Sequence, residues 1–191
     1  MTIRFAFFTD THHFPGAPHD FGAPKMLTRS KEVLDILPSV INAGNFDFVV
    51  HGGDVVCGGS SFNIPNDTFV RSLEEAAATF EQITTPFYSV PGNHDCDANS
   101  WTYDQYGEHF SLHSPITLVD VAPQLRLALA NVFYEVDVKK NGSGLWTDAM
   151  DESLRQAAVR ANQDQCALIL ILHSWLLPSG DGEIGLISKA E

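Results

Sequence analysis

Four short apolar runs in this chain each lead into side chains that bind divalent cations. Residues 4–8 run into Asp10, Thr11 and His12, and residues 46–51 into Gly53 and Asp54. Residues 86–90 precede Gly92, Asn93, His94 and Asp95, and residues 167–172 end at His173. Runs of this length and composition read as strands. Stretches of helical periodicity lie between them, and strand–helix alternation predicts parallel pairing and an α/β architecture. A parallel sheet binds ligands in the crevice beyond the carboxyl ends of its strands. The pattern therefore predicts one sheet edge carrying one metal site.

The first helix is expected over residues 28–43, with Leu34, Leu37 and Ile41 on one face. Pro38 should kink or split it, and Gly44-Asn45 should end it. A second is expected over residues 67–82, capped by Asn66 or Asp67, with Val70, Leu73, Ala77 and Phe80 as its apolar stripe. A less regular stretch follows the third strand. Residues 125–138 read as one long strand or a hairpin, residues 141–144 as a turn, and residues 148–161 as a helix behind a Thr147 cap. Two long loops, residues 13–26 and 57–66, should overhang the metal edge. Trp175 and Phe62 are candidates for the pocket wall or for core packing, and His13 and His19 are candidate pocket groups.

The 191 residues suffice for a single domain with a real core, and hydrophobic and charged fractions of 44% and 18% are those of a globular protein. No segment has the roughly 18 apolar residues of a membrane span. The opening Met1-Thr2-Ile3-Arg4 leads straight into a strand without the features of a signal peptide, so a cytoplasmic protein is expected. A formal net charge of −13 disfavours nucleic acid as a partner. It leaves room for a small phosphorylated substrate, because two divalent metals make a pocket locally positive. Cys57, Cys96 and Cys166 are odd in number and widely spaced, which argues against a disulfide framework.

Asp10 and His12 stand two residues apart, so in an extended segment both side chains fall on one side. Carboxylate plus imidazole suits manganese, iron or zinc better than calcium. Asp54 has two oxygens and can bridge two metals roughly 3.5–4 Å apart. Gly52 and Gly53 before it permit a sharp turn. In this order and spacing, with Gly92-Asn93-His94-Asp95 as its most specific part, the set resembles the calcineurin-like metallophosphoesterases. The resemblance implies an α/β/β/α sandwich with mixed sheets and two divalent ions (manganese, iron or zinc). It assigns Asp10 and His12 to the first metal, Asn93 and His173 to the second, and Asp54 to both. It makes His94 a catalytic residue over the substrate phosphate and Asp95 its hydrogen-bonded partner. The implied reaction is phosphoester hydrolysis, of diesters or monoesters, with a metal-bridging hydroxide as nucleophile.

The family has a further Gly-His-x-His motif after the lone histidine, and no such motif occurs between His173 and Glu191. The expectation is a single phosphoesterase domain over residues 1–191, incomplete at its C-terminus, with possible self-association through an exposed sheet edge. Two other readings compete. One is a degenerate relative acting as an interaction scaffold, which metal content would separate. The other is a nuclease, which the acidic balance opposes.

Overall fold

The computed structural model describes residues 2–20, 25–59, 62, 64–96, 102–112, 114–134, 144–174 and 188–189. Among these, β1 (Phe5–Phe8), β2 (Phe48–His51) and β3 (Phe87–Ser89) form one all-parallel sheet in the order β1-β2-β3. A second sheet contains β4 (Ile116–Ala122), β5 (Leu125–Ala130) and β7 (Ala167–Ile171). In it β4 and β5 are antiparallel, while β5 and β7 are parallel. A short parallel pair joins β6 (Leu145–Trp146) to β8 (Ser188–Lys189). The helices are α1 (Ser30–Ala43), α2 (Asn66–Phe80), α3 (Asp104–Phe110) and α4 (Asp148–Gln163), with a 3-10 turn over Leu27–Arg29.

Strand residues alternate between two faces, and this alternation builds the layers. In β2, Val49 joins Leu34, Ile41, Phe69, Leu73, Phe80 and Tyr106 of the first three helices. Its neighbours Phe48 and Val50 point the other way, onto Leu125, Leu127 and Leu129 of β5 and Ile171 of β7. On the far face of the second sheet, Ala130 and Leu170 pack with Met150 and Leu154 of α4. The order is helices, sheet, sheet, helix, as the resemblance implied. Among the described residues β1 lies at one edge of its sheet, with Phe5 and Phe7 44% and 51% exposed. No described helix is long and apolar enough to cross a membrane.

Several expectations need correction. The helix α1 runs through Pro38 without a break. Pro38 shares the buried face with Leu34 and Ile41, and that packing outweighs one lost hydrogen bond. Neither Asn66 nor Asp67 caps α2: Pro65 holds the cap position and makes no side-chain bond to the helix. Thr147 does cap α4, accepting the Met150 N–H at 3.2 Å. The strand expected over residues 125–138 ends at Ala130 and pairs with β4, which precedes it. Residues 135–138 and 141–143 lie outside the described residues, as do Trp175 and most of the chain beyond it. The less regular stretch contains both β4 and α3. Helix α3 has only seven residues, including Gly107, and weak local propensity. Tertiary contacts hold it: the Tyr106 ring is buried, with its hydroxyl 2.5 Å from Ser89 Oγ.

Candidate metal centre

The loops beyond β1 and β2 continue the sheet's hydrogen bonding after the strands end. Asp10 N–H donates to Gly53 O (2.9 Å), His12 N–H to Asp54 O (3.0 Å) and His13 N–H to Val55 O (2.8 Å). The loop beyond β3 is laced to the second of these through Gly58 N–H to His94 O (2.6 Å) and Gly59 N–H to Cys96 O (3.2 Å). The three motifs thus form one layer at the carboxyl edge, and His173, two residues beyond β7, reaches it from the second sheet.

Asp10, His12 and Asp54 converge so that one ligand atom from each lies within 4.8 Å of the others. His12 Nε2 is 3.4 Å from Asp10 Oδ1 and 3.6 Å from Asp54 Oδ2. His173 Nε2 approaches the same Asp54 Oδ2 at 3.5 Å. The remaining atoms are anchored. Asp54 Oδ1 accepts the His94 N–H (2.9 Å), Asp10 Oδ2 accepts the Thr9 hydroxyl (2.7 Å), and His173 Nδ1 donates to Gly52 O (2.9 Å). His12 Nδ1 faces the buried Cys57 thiol at 3.7 Å. Each imidazole therefore turns Nε2 inward and has a neighbour at Nδ1, an arrangement that orients histidine ligands. Two carboxylates and two imidazoles, with one carboxylate oxygen between the imidazoles, fit divalent cations of the manganese, iron or zinc type.

The convergence has a different cause from the expected extended segment. Asp10, His12 and Asp54 all occupy left-handed backbone, with φ of 59°, 43° and 56°. Such conformations cost a non-glycine residue on the order of 1–3 kcal/mol and persist where the surroundings over-determine them. Gly53 (φ 101°) matches its expected turning role, since a Cβ there would come within 2.7 Å of His173 Nδ1. A Cβ on Gly92 would fall on Asp54 Oδ1.

Burial alone would raise the Asp54 carboxyl, but the His173 hydrogen bond and charge hold it far below the usual carboxylate range. The same pairing overcomes the burial of His173 and raises its imidazole. At Asp10, burial is outweighed by hydrogen bonds from His12 and Thr9, and the carboxyl is lowered.

Asp95 does not take the place expected for it beside the His94 ring. Its oxygens accept Val56 N–H (3.0 Å) and Gly92 N–H (2.8 Å), tying the second and third loops together. Burial and the nearby Asp54 charge push its carboxyl up. The group that meets His94 Nδ1 is the carbonyl of Gly58, at 3.2 Å. His94 lies beside His12 and Phe62, with ring centroids 5.4 and 4.6 Å away, and burial lowers its imidazole. Asn93 sits half-buried in the same turn, and its backbone carbonyl faces Cys96 Sγ.

His51 carried no expected role, yet it braces the ligand loops. Gly53 N–H donates to its Nδ1 (3.1 Å), so the proton sits on Nε2 and bonds Thr11 Oγ1 (3.1 Å). Thr11 in turn donates to Val55 O (3.1 Å). This chain links the residue between Asp10 and His12 to the residue after Asp54. Complete burial pushes the His51 imidazole down to about 3, against the opposing charges of Asp10 and Asp54. An unfolded histidine titrates near 6.5, so the unfolded chain binds the extra proton between these values. Stability is full above about pH 6.5 and falls as pH drops toward 3. From pH 7 to pH 5 this one group should cost about 2 kcal/mol. Urea unfolding of metal-free protein at both pH values will show that drop, and His51→Phe will lessen it by the same amount. An unchanged pH dependence in the variant would contradict the assignment.

His13 turns away from the centre: its Nε2 lies 3.0 Å from Glu75 Oε2 on α2. His19 is exposed. Phe62 belongs to the buried core and lies beside the His12 and His94 rings. Sequence reasoning missed Lys25, whose Nζ lies 2.9 Å from His12 Nε2. The available signal was that Lys25 is the only lysine or arginine in the loop of residues 13–26. Together with Asp10, Thr11, His12 and the apolar Phe8, Met26, Leu27, Val33 and Leu37, it lines a cleft of about 510 Å³.

A family model described as calcineurin-like phosphoesterase matches residues 3–168. Among solved structures, a dimetal phosphatase from Danio rerio is similar in fold, with a TM-score of 0.70 and 14% sequence identity. The match covers 90% of this chain and 69% of that one. No match was found among the curated proteins.

Proposed function

This chain belongs to the calcineurin-like phosphoesterase family, and from that premise we propose that it is a metal-dependent hydrolase of phosphoesters. The observation that carries the reading is Asp54 Oδ2, flanked by His12 Nε2 at 3.6 Å and His173 Nε2 at 3.5 Å. One carboxylate oxygen between imidazoles from two sheets is the arrangement a shared ligand requires. Asp10, His12 and Asp54 would hold one cation, and Asp54, Asn93 and His173 the other. When bound, the cations supply Lewis acidity to the phosphoryl oxygens and to the attacking water.

The chain's own residues do the rest. Asp54 draws the ligand loops together, and Asp95 fixes the second loop against the third. His94 keeps its Nδ1 proton on Gly58 O and presents Nε2 to the substrate. Protonated there, it delivers the proton to the leaving oxygen. The substrate is a small phosphorylated molecule, and the net charge of −13 favours that over nucleic acid. Thiols outside any disulfide at Cys57 and Cys166 suit a reducing compartment such as the cytoplasm.

The test is hydrolysis of p-nitrophenyl phosphate and bis-p-nitrophenyl phosphate by the purified chain with manganese or zinc. Turnover that chelation removes and added metal restores is expected. Metal-loaded protein inert toward both would refute the reading. Protein that takes up no metal would favour the scaffold alternative.

A further inference from the structure

Lys25 is a cation placed among groups that already converge on the metal edge. Its Nζ is 2.9 Å from His12 Nε2 and lies 5.2 Å from the centroid of the Phe62 ring. The Phe62 ring is 4.6 Å from that of His94 and 5.8 Å from that of His12. Lys25 therefore touches a proposed metal ligand and lies over the ring that packs on the proposed proton donor. Its charge is felt at His94, where it adds to burial in lowering the imidazole.

The contact with His12 excludes a metal on the same atom. An ammonium has three donors and no acceptor. His12 Nε2 has one lone pair, which serves either Lys25 or a cation. Once a cation takes that lone pair, Nζ loses its partner and is repelled by the new charge. Its four-carbon stem lets it swing a few ångströms without any change of backbone. The group best suited to receive it is an anionic oxygen beside the metals.

We propose that Lys25 is a substrate-binding residue whose ammonium moves from His12 Nε2 to a non-bridging oxygen of the substrate's phosphoryl group. This rests on the phosphoesterase reading and adds a specificity residue to it. A third positive centre favours the dianion of a phosphomonoester or of inorganic phosphate over the monoanion of a diester.

The experiment compares wild type, Lys25→Met and Lys25→Arg by calorimetric titration, first with manganese and then with inorganic phosphate on the manganese-loaded protein. Lys25→Met should weaken phosphate binding by about 10- to 100-fold, the scale of one charge-assisted hydrogen bond. Lys25→Arg should recover much of it. Manganese affinity should be equal or higher in Lys25→Met, because a competitor for His12 has gone. In turnover, KM for p-nitrophenyl phosphate should rise more than kcat falls, and more than KM for the diester rises. Phosphate binding unchanged in Lys25→Met, while wild type binds manganese and phosphate, would overturn the role of Lys25 alone. Weakened manganese binding in Lys25→Met would also overturn it, assigning Lys25 to loop structure. Failure of manganese-loaded wild type to bind phosphate would sink this proposal and the phosphoesterase reading together.

Discussion

Asp54→Ala will lose both metal ions and keep its fold. The Asp54 side chain faces candidate ligands from both sheets, with one oxygen 3.6 Å from His12 Nε2 and 3.5 Å from His173 Nε2. Removing it deprives both proposed cations of a ligand and leaves their mutual repulsion unscreened. Asp54 lies beyond the end of β2 and the apolar clusters are built from hydrophobic side chains, so secondary structure should persist. A local cost is still expected, because Asp54 Oδ1 accepts the buried His94 N–H at 2.9 Å. An unsatisfied buried donor costs roughly 1–3 kcal/mol. Asp54→Asn separates the two effects: its amide oxygen can keep the His94 bond while the negative charge is gone. Both variants should emerge from dialysis without metal by elemental analysis, with Asp54→Asn the more stable to urea. Metal content equal to wild type in Asp54→Ala would refute the bridging role.

His94→Ala should do the reverse, retaining metal while turnover falls by roughly 10²–10⁴-fold, the usual scale for a general acid. The geometry supports the separation. The His94 ring is anchored through Nδ1 to Gly58 O at 3.2 Å and meets Phe62 edge-on, whereas the candidate ligand cluster comprises Asp10, His12 and Asp54. The backbone N–H that His94 gives to Asp54 survives the substitution. A substrate whose leaving group needs no proton, such as a nitrophenolate, should lose less activity than an alkyl phosphate. Metal loss in proportion to activity loss would move His94 into the ligand set. An equal loss for both leaving groups would replace proton donation with electrostatic support of the phosphate.

Much of this was legible in the chain. The apolar runs became β1, β2, β3 and β7, and the polar residues beyond them meet at one edge. Strand alternation and short-range spacing are local properties, and a sequence displays them directly. The helix faces of Leu34 and Ile41 and of Leu73, Ala77 and Phe80 could be read for the same reason. Elements without a strong local pattern could not. The half-buried β4 and the seven-residue α3 exist because they pack on β5 and on Ser89, partners that no short window of sequence contains.

The sequence by itself determined the candidate residues and their order: Asp10, His12, Asp54, His94 and His173 follow from the motifs. Only the tertiary structure decided how they are held. Left-handed backbone at Asp10, His12 and Asp54, the Gly58 carbonyl at His94, Asp95 tied to Val56 and Gly92, and Lys25 over Phe62 all join segments distant in the chain. The physical reason is that a hydrogen-bond partner is chosen by proximity. Proximity at this edge is set by the parallel register of β1, β2 and β3 and by the packing of one sheet on the other. A strained residue or an unexpected partner therefore becomes visible only once those loops lie side by side.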